Sequence, residues 1–243
     1  METRIDEIAD GIYRLSTLVP EINPPAGFSF NQFLIRAEEP LLFHLGHRRM
    51  FPQISAAVAK LVPLSSLRWL ACSHLEADEC GAMNEWLAAA AHAAIAHCPL
   101  GANVSLRDMA DRPPRVVGDN ETVDLGSKRM RFLATPHLPH GWDAQLLFEE
   151  TTQTLFCSDL FAHSGDGPAL VESDIVAPAI AGETQSRSIS VSPTTAPSLR
   201  RLAALRPKRL ALMHGSSYAG DAAGALGALA DHFAAELRAA GEQ

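Results

Sequence analysis

The sequence predicts an α/β fold in which two mixed β-sheets are flanked by helices. Strand-like runs alternate with helix-like runs along the chain, and patterns typical of antiparallel hairpins occur in each half. With 243 residues, of which 47% are hydrophobic, the chain can bury a large core. We therefore expect a single domain over residues 1–243.

The first half of the chain provides strands and two helices. Short runs rich in strand-forming residues are GIYRLS, FNQFLIRA and PLLFHLG, and the segments EINPPAG and AEEP between them are typical of turns. ISAAVAKLV predicts an amphipathic helix, and LRWLACS is an apolar run of strand length. A second helix is predicted over ECGAMNEWLAAAAHAA, with Asp78 placed to cap its first turn.

The second half continues with short strands and ends in helices. The predicted strands lie in AIAHC, ETVDLG, KRMRFLATPH, AQLLFEE, TLFCSD and RLALMHG. PSLRRLAAL and AAGALGALADHFAAELRAA predict helices. Residues 163–198 are rich in Gly, Ser, Thr and Pro, and they are expected to form a long loop or lid, which in compact domains is often functional.

Composition excludes several classes of protein. There are 20 Lys plus Arg against 28 Asp plus Glu, without a basic block, so a nucleic-acid partner is not expected. The first residues lack the pattern of a signal peptide, and no apolar run is long enough to span a membrane. Four cysteines without CxxC spacing are typical of buried thiols, which indicates a reducing cytoplasm.

Histidines and carboxylates gather where four predicted strands end. SHLEADECG follows the first of these strands and carries His74, Glu76, Asp78 and Glu79. TPHLPHGWD follows the second strand and carries His137 and His140. TLFCSD ends the third strand with Asp159, and LALMHGSS, at the end of the fourth, carries His214. Ligands to one metal site must come from several strand ends, because a rigid sheet edge holds them to the tolerance that coordination demands.

Taken singly, each of these residues has a simpler explanation. A histidine at a strand end more often forms a hydrogen bond than a metal bond. Asp78 and Glu79 precede a predicted helix and are in place to cap it, and Asp159 is in place to open a turn. It is their order along the chain that favours a metal centre.

That order resembles the metallo-β-lactamase fold superfamily, and within it the branch of flavodiiron and oxygen-binding diiron proteins. The branch carries H-x-E-x-D-H, then His, a bridging Asp and a final His. His74, Glu76 and Asp78 match the first three positions, and Asp159 and His214 match the last two. His137, in an H-x-P setting, matches the fourth ligand, and the resemblance runs from DGIYRL to His214. Glu76 is the specific feature, since hydrolases of the superfamily have His there.

The chain departs from the family pattern at three positions. Glu79 replaces the second histidine of the first motif. His140 falls where an Asp is usual, and it is a candidate to support the site if Glu79 is not a ligand. His44 replaces an Asp that many members carry, which is expected to alter the support of the ligands and not the ligands themselves.

The resemblance implies two metal ions bridged by Asp159. His74, Glu76 and His137 would hold one ion, and Asp78, Glu79 and His214 the other. Carboxylates are hard anionic donors, so a set this rich in them favours a redox-active pair, most simply iron, with manganese and zinc as the alternatives.

The first expected function is a non-haem diiron protein that binds O2 and either reduces O2 or NO with electrons from an external donor protein, or senses oxygen. No flavodoxin domain, which flavodiiron members carry, is expected within the chain, and a homodimer is implied by the resemblance. The second is a hydrolase of the same fold acting on a phosphoester, thioester or lactone, with Asp78 positioning or deprotonating the nucleophile. The third is a metal-free binding module, which requires the ligand set to have decayed.

Overall fold

The computed structural model describes residues 2–241, which form two seven-stranded mixed sheets with helices outside them. The first sheet follows chain order, β1 to β7, and its strands are β1 (Thr3–Ala9), β2 (Ile12–Val19), β3 (Phe28–Ile35), β4 (Leu41–Phe43), β5 (Trp69–Ala71), β6 (Ala94–His97) and β7 (Arg115–Val116). Strands β1 to β4 pair antiparallel and β4 to β7 pair parallel, with Leu42 opposite Leu70 across β4 and β5.

The second sheet has the order β12-β14-β13-β11-β10-β9-β8. Its strands are β8 (Thr122–Asp124), β9 (Arg129–Ala134), β10 (Gln145–Glu149), β11 (Thr154–Phe156), β12 (Leu170–Val171), β13 (Arg209–Ala211) and β14 (Ser217–Tyr218). β8 to β11 form an antiparallel meander, and β11 pairs parallel with β13, with Leu155 opposite Leu210. The fold class predicted from the sequence is confirmed.

The helices lie outside the two sheets. They are α1 (Phe51–Ala59), α2 (Ala77–Cys80), α3 (Met83–Ala89), α4 (Pro99–Gly101), α5 (Arg107–Met109), α6 (Val176–Ser186), α7 (Thr195–Ala203) and α8 (Ala222–Gly241). A π-helical turn over Ala102–Leu106 joins α4 to α5. None of the helices within residues 2–241 is both long enough and apolar enough to cross a bilayer.

Alternation along the central strands places apolar side chains on both faces of each sheet. Phe33 and Phe43 of the first sheet point between the sheets, where their rings lie 5.4 and 5.5 Å from the ring of Phe156. Leu34 and Leu42, one residue away from them, point outward into the core beneath α1 and α3. This period of two is why the strands read as nearly continuous apolar runs, as expected for sheets covered on both faces.

Two element predictions are corrected. The single helix predicted from Glu79 onward is divided into α2 and α3 at Gly81, where a Cβ atom would overlap the carbonyl oxygen of Ala77. The Ala-rich run does not extend α3, because Ala94 already pairs with Trp69 in the first sheet. Asp78 lies inside α2 and Glu76 is the residue before it, without a capping hydrogen bond from its side chain.

The expected loop over residues 163–198 contains regular structure. It holds strand β12, helix α6 and the start of α7. Helix α6 buries only Ala179 among its 11 residues, which explains why the segment lacks a helical pattern of apolar side chains.

Candidate metal centre

The histidines and carboxylates of the four strand ends meet at one edge of the two sheets. His74, Glu76, Asp78 and Glu79 follow β5 of the first sheet. His140 follows β9, Asp159 follows β11, and His214 follows β13, all from the second sheet. The cluster is therefore built from both sheets.

Asp159 lies at the centre of the cluster and is buried. Its Oδ2 atom is 3.5 Å from Nε2 of both His74 and His140. Its Oδ1 atom is 3.2 Å from Nε2 of His214. The two oxygens of one carboxylate thus face different histidines, which is the arrangement required of a ligand shared by two ions.

Two carboxylates accompany His74 and His140. Glu76 lies 3.7 Å from Nε2 of His74 and 3.2 Å from Nε2 of His140. Glu79 lies 3.6 Å from Nε2 of His74. Ligand atoms of His74, His140 and Asp159 lie within 4.8 Å of one another, as do those of His74, Glu76 and Glu79. Donor atoms this close can share one metal ion.

His214 and Asp78 form the other side of the cluster. Nε2 of His214 lies 3.5 Å from Oδ2 of Asp78. Nδ1 of His214 lies 2.8 Å from the carbonyl oxygen of Ser29, so this nitrogen carries the proton and donates it. In the neutral ring the lone pair of Nε2 then faces the carboxylates, which is the tautomer that a metal requires.

The loop after His214 is held by groups from β3 and by a glycine. The backbone N–H of Gly215 donates to the hydroxyl of Ser29, and Asn31 donates from its amide to the carbonyl of Gly215. Gly215 has a φ of +92°, and a Cβ there would overlap the ring of His163. Only glycine fits this turn without strain.

A hydroxyl network fixes the ring of His74 in the same way. Oγ of Ser73 lies 3.0 Å from Nδ1 of His74, 2.7 Å from the hydroxyl of Ser158 and 3.2 Å from Nε2 of His44. If Nδ1 of His74 donates to Ser73, then Nε2 presents its lone pair to the cluster. His44 and Ser158 have φ values of +60° and +54°, so both strand ends adopt an uncommon left-handed conformation beside the site.

Buried ligand atoms in this cluster lack hydrogen-bond partners. Nε2 of His74 and both carboxylate oxygens of Glu79 form no hydrogen bond with the residues described, and each of the two residues is only 1% exposed. A buried carboxylate without a donor costs free energy unless a cation neutralises it. The donor set of nitrogen and carboxylate oxygen therefore fits a metal pair.

The pKa values show how the carboxylates act on one another. Burial raises the pKa of Glu79 well above its ordinary value, and the charges of Asp159 and Asp78 raise it further. Burial also raises the pKa of Asp159, but its close contact with His214 and the charges of the histidines outweigh this and hold it at about 2. Burial lowers the pKa of His214, whereas Asp159 raises it, and the net direction is upward. A cation among these groups would relieve the repulsion between carboxylates.

His140, and not His137, reaches the cluster. The side chain of His137 is exposed, and within residues 2–241 it takes part in none of the ion pairs of the site. His137 has a φ of +65° and its backbone N–H donates to the carbonyl of Gly141, so the chain turns there before His140 enters the site. We therefore replace His137 by His140 in the proposed ligand set.

We expected Glu79 to share an ion with Asp78 and His214. Its closest histidine contact is with His74, at 3.6 Å, so we propose that it shares an ion with His74. The supporting residues Ser29, Ser73 and Ser158 were not identified in the sequence. Their only signal is that Ser73 precedes His74 and Ser158 precedes Asp159, and serine is too common for that to single them out.

The chain is similar in sequence to proteins named as flavoproteins and flavorubredoxins. The chain is 31% identical over 157 residues to "Putative diflavin flavoprotein A 1" of Thermosynechococcus vestitus, covering 63% of this chain and 27% of that protein. It is 27% identical over 139 residues to "Anaerobic nitric oxide reductase flavorubredoxin" of Salmonella arizonae, covering 56% of this chain and 29% of that protein. The chain thus spans only part of the length of these relatives.

The fold is shared with solved structures. A flavo di-iron protein variant from Thermotoga maritima superimposes with a TM-score of 0.83 at 20% identity, covering 96% of this chain and 61% of the other. The profile of the family described as "ODP family beta lactamase" matches residues 28–215, well over half of the chain. The resemblance to the metallo-β-lactamase superfamily is confirmed, and the chain belongs to the ODP family of β-lactamase-like proteins.

Proposed function

We propose that this protein holds two iron ions and binds O2 or NO, as a diiron oxidoreductase that takes its electrons from a separate donor protein. The observation that carries this proposal is the position of Asp159, whose two oxygens face different histidines. The chain covers only part of its relatives, so substrate and donor are proposed from the site and from the names of those relatives. A pair of iron ions supplies one-electron redox chemistry toward a diatomic gas.

The residues of the site divide into two groups under this proposal. His74, His140, Glu76 and Glu79 would hold one ion, Asp78 and His214 would hold the other, and Asp159 would contact both. The four carboxylates carry four negative charges, which equal the charge of two divalent cations. Hard oxygen donors favour the oxidised states of iron more than histidine-rich sets do.

The cavity beside the cluster is a candidate route for protons to the site. His140 is part-exposed and lines the cavity beside the cluster, whereas His74 and His214 are buried. Asp78 lines the same cavity. When O2 or NO is reduced, protons must reach the site together with electrons, and the cavity that these two side chains line is the route by which protons would arrive.

The experiment that tests the proposal is elemental analysis of the purified protein together with its absorption spectrum. We expect about two irons per chain and a near-ultraviolet band that disappears on anaerobic reduction and returns on exposure to O2 or NO. Two zinc ions and a spectrum insensitive to O2 would contradict the proposal and would direct the search to thioester, lactone and phosphoester hydrolysis. If the purified protein contained no stoichiometric metal, the result would favour the third alternative, a metal-free binding module.

A matched pair of histidine variants tests the ligand set. His140→Ala is expected to lose at least one of the two metal ions, because it removes a nitrogen donor 3.5 Å from Asp159. His137→Ala is the control, since it changes an exposed histidine of the same loop and is expected to keep both ions. The reverse result would restore His137 as the ligand and would show that the loop changes shape when metal binds.

A further inference from the structure

A large cavity opens onto the exposed side of the cluster. Its volume is about 790 Å³, and Glu76, Asp78, His140, Asp159 and His214 form its inner end. A water molecule takes up roughly 30 Å³, so a diatomic gas of similar size would fill only a small part of this space. Cavities of about 300–1,000 Å³ are those that bind organic molecules of drug size.

The body of the cavity is apolar. Phe28, Phe161, Ala179, Ile189 and Leu229 line it. The ring of Phe28 lies 4.3 Å from the ring of His214, so the aromatic wall reaches the cluster itself. Aromatic walls favour aromatic guests, which pack against them in stacked or edge-on geometry.

Several polar side chains that also line the cavity are already committed to bonds within the protein. Nε2 of His163 accepts a hydrogen bond from the backbone N–H of Ser216, so Nδ1 carries the proton and donates it to the carbonyl of Phe161. The amide of Asn23 donates to the hydroxyl of Ser164 at 2.6 Å. Neither ring nitrogen of His163 is therefore free to bind a guest.

Glu183, on helix α6, is committed as well. One of its carboxylate oxygens accepts from the backbone N–H of Ile189 at 2.7 Å, and the other accepts from the hydroxyl of Ser188 at 2.7 Å. These bonds close the turn after α6. They leave two places where a guest would find polar partners: the inner end of the cavity, where the ligand cluster lies, and the exposed side chain of Gln185 on α6.

We propose that this cavity binds a neutral aromatic alcohol, a molecule of the phenol or naphthol class, with its hydroxyl oxygen at the ligand cluster and its rings between Phe28 and α6. This inference deepens the proposed function by naming a class of organic ligand for the same site. It rests on that function only for the contact between the hydroxyl of the ligand and the metal cluster. With two divalent cations bound, the four carboxylates balance their charge, so the inner end then offers no excess positive charge to an anion.

Helix α6 provides a variant that fills the cavity without disturbing the fold. Gly182 lines the cavity, and a Cβ built there would meet only the carbonyl oxygen of Ala162 at 3.6 Å, an ordinary contact. Gly182→Leu and Gly182→Phe therefore add volume to the cavity in increasing amounts. Gly227→Phe, on α8, is the matched control, because a Cβ at Gly227 has no heavy atom within 4 Å and the residue does not line the cavity.

The first arm of the experiment measures the binding of N-phenyl-1-naphthylamine, a neutral probe that fluoresces in apolar surroundings, to zinc-substituted protein. We expect one saturable site, binding that is at least tenfold weaker in Gly182→Phe, an intermediate effect in Gly182→Leu, and unchanged binding in Gly227→Phe. Absence of a saturable site, or equal binding by Gly182→Phe and the parent protein, would overturn the proposal.

The second arm tests the oxygen end by displacement of the probe. We expect 2-naphthol to compete at least tenfold better than naphthalene, since only the alcohol can place an oxygen at the cluster. Equal competition would overturn the hydroxyl assignment, and displacement by flavin mononucleotide but not by 2-naphthol would show that the cavity receives a flavin. Iron content is measured separately, so a failed diiron assignment with intact probe binding is distinguishable from a failed cavity assignment.

Discussion

Among single residues, Ser73 connects most parts of the site. Its hydroxyl contacts Nδ1 of His74, the hydroxyl of Ser158 and Nε2 of His44, and all four residues are buried. Burial lowers the pKa of His44 to about 3, so its ring is neutral, and its Nε2 atom donates to or accepts from the hydroxyl of Ser73. The network therefore orients His74 without placing another charge beside the cluster.

Removal of this hydroxyl should weaken metal binding. In Ser73→Ala, Nδ1 of His74 loses its closest partner, and we expect metal affinity to fall by about 10- to 100-fold, the usual effect of losing a group that orients a ligand. Competition with a chromophoric chelator measures the affinity. Ser66→Ala is the control, because the Ser66 hydroxyl is exposed and, within residues 2–241, bonds only to the carbonyl of Pro63. Unchanged affinity in Ser73→Ala would show that packing alone holds the ring of His74.

The sequence predicted which strand ends supply the cluster better than it predicted which histidine reaches it. His74, Asp159 and His214 each lie three residues after the end of a strand, and His137 has the same spacing from β9, so spacing alone predicts His137 and not His140. His137 and His140 lie three residues apart in one loop, and the left-handed turn at His137 decides which of them points inward. Such a turn depends on local backbone geometry, and residue types do not specify it when the residue is not glycine.

At the scale of elements, the hairpin between β10 and β11 shows how one buried carboxylate organises a turn. Glu149 is buried, and its two oxygens accept hydrogen bonds from the backbone and hydroxyl groups of Thr151 and Thr152. Burial raises the pKa of Glu149, but these hydrogen bonds outweigh it and the net pKa is lowered from 4.5. The charged form is therefore the one that stabilises the hairpin.

Glu149→Gln should destabilise the fold in a pH-dependent way. Because the folded pKa lies below the unfolded value, the stabilisation is fully present above the unfolded pKa and is lost as pH falls through the folded pKa. We expect a loss of about 2 kcal/mol in the free energy of unfolding at pH 7, and a smaller loss below pH ~4. Urea unfolding at several pH values measures it, with the exposed Glu21→Gln as control. A pH-independent difference would indicate that shape, and not charge, is what Glu149 contributes.

Helix α6 shows the limit of sequence patterns for elements. Its segment is poor in large apolar residues, and a helix that buries one alanine leaves little periodicity to detect. The two-residue strands β7, β12 and β14 were also missed, since two residues cannot display alternation. The longer apolar strands and α1, α7 and α8 were identified because each buries a continuous face.

On the scale of the whole molecule, two features join the sheets. One is the apolar layer between them, where Phe33 and Phe43 meet Phe156. The other is the ligand cluster, in which His74 comes from the first sheet and His214 and Asp159 from the second. The two-sheet architecture was predictable because helices and hairpins alternate in both halves, whereas the contact between particular faces depends on packing that no local pattern encodes.

A metal pair held by ligands from both sheets should stabilise the molecule as a unit. Metal binds only the folded arrangement, so at a free metal concentration 1,000 times Kd the gain is about 4 kcal/mol. Removal of metal by a chelator should therefore lower Tm in one cooperative transition, because the repulsion among Glu79, Asp78 and Asp159 returns when the cations leave. Calorimetry before and after chelation measures the shift, and His140→Ala, with a ligand removed, should show a smaller one. If chelation left Tm unchanged, the cluster would be an acidic pocket without metal, and the two sheets would depend on their apolar layer alone.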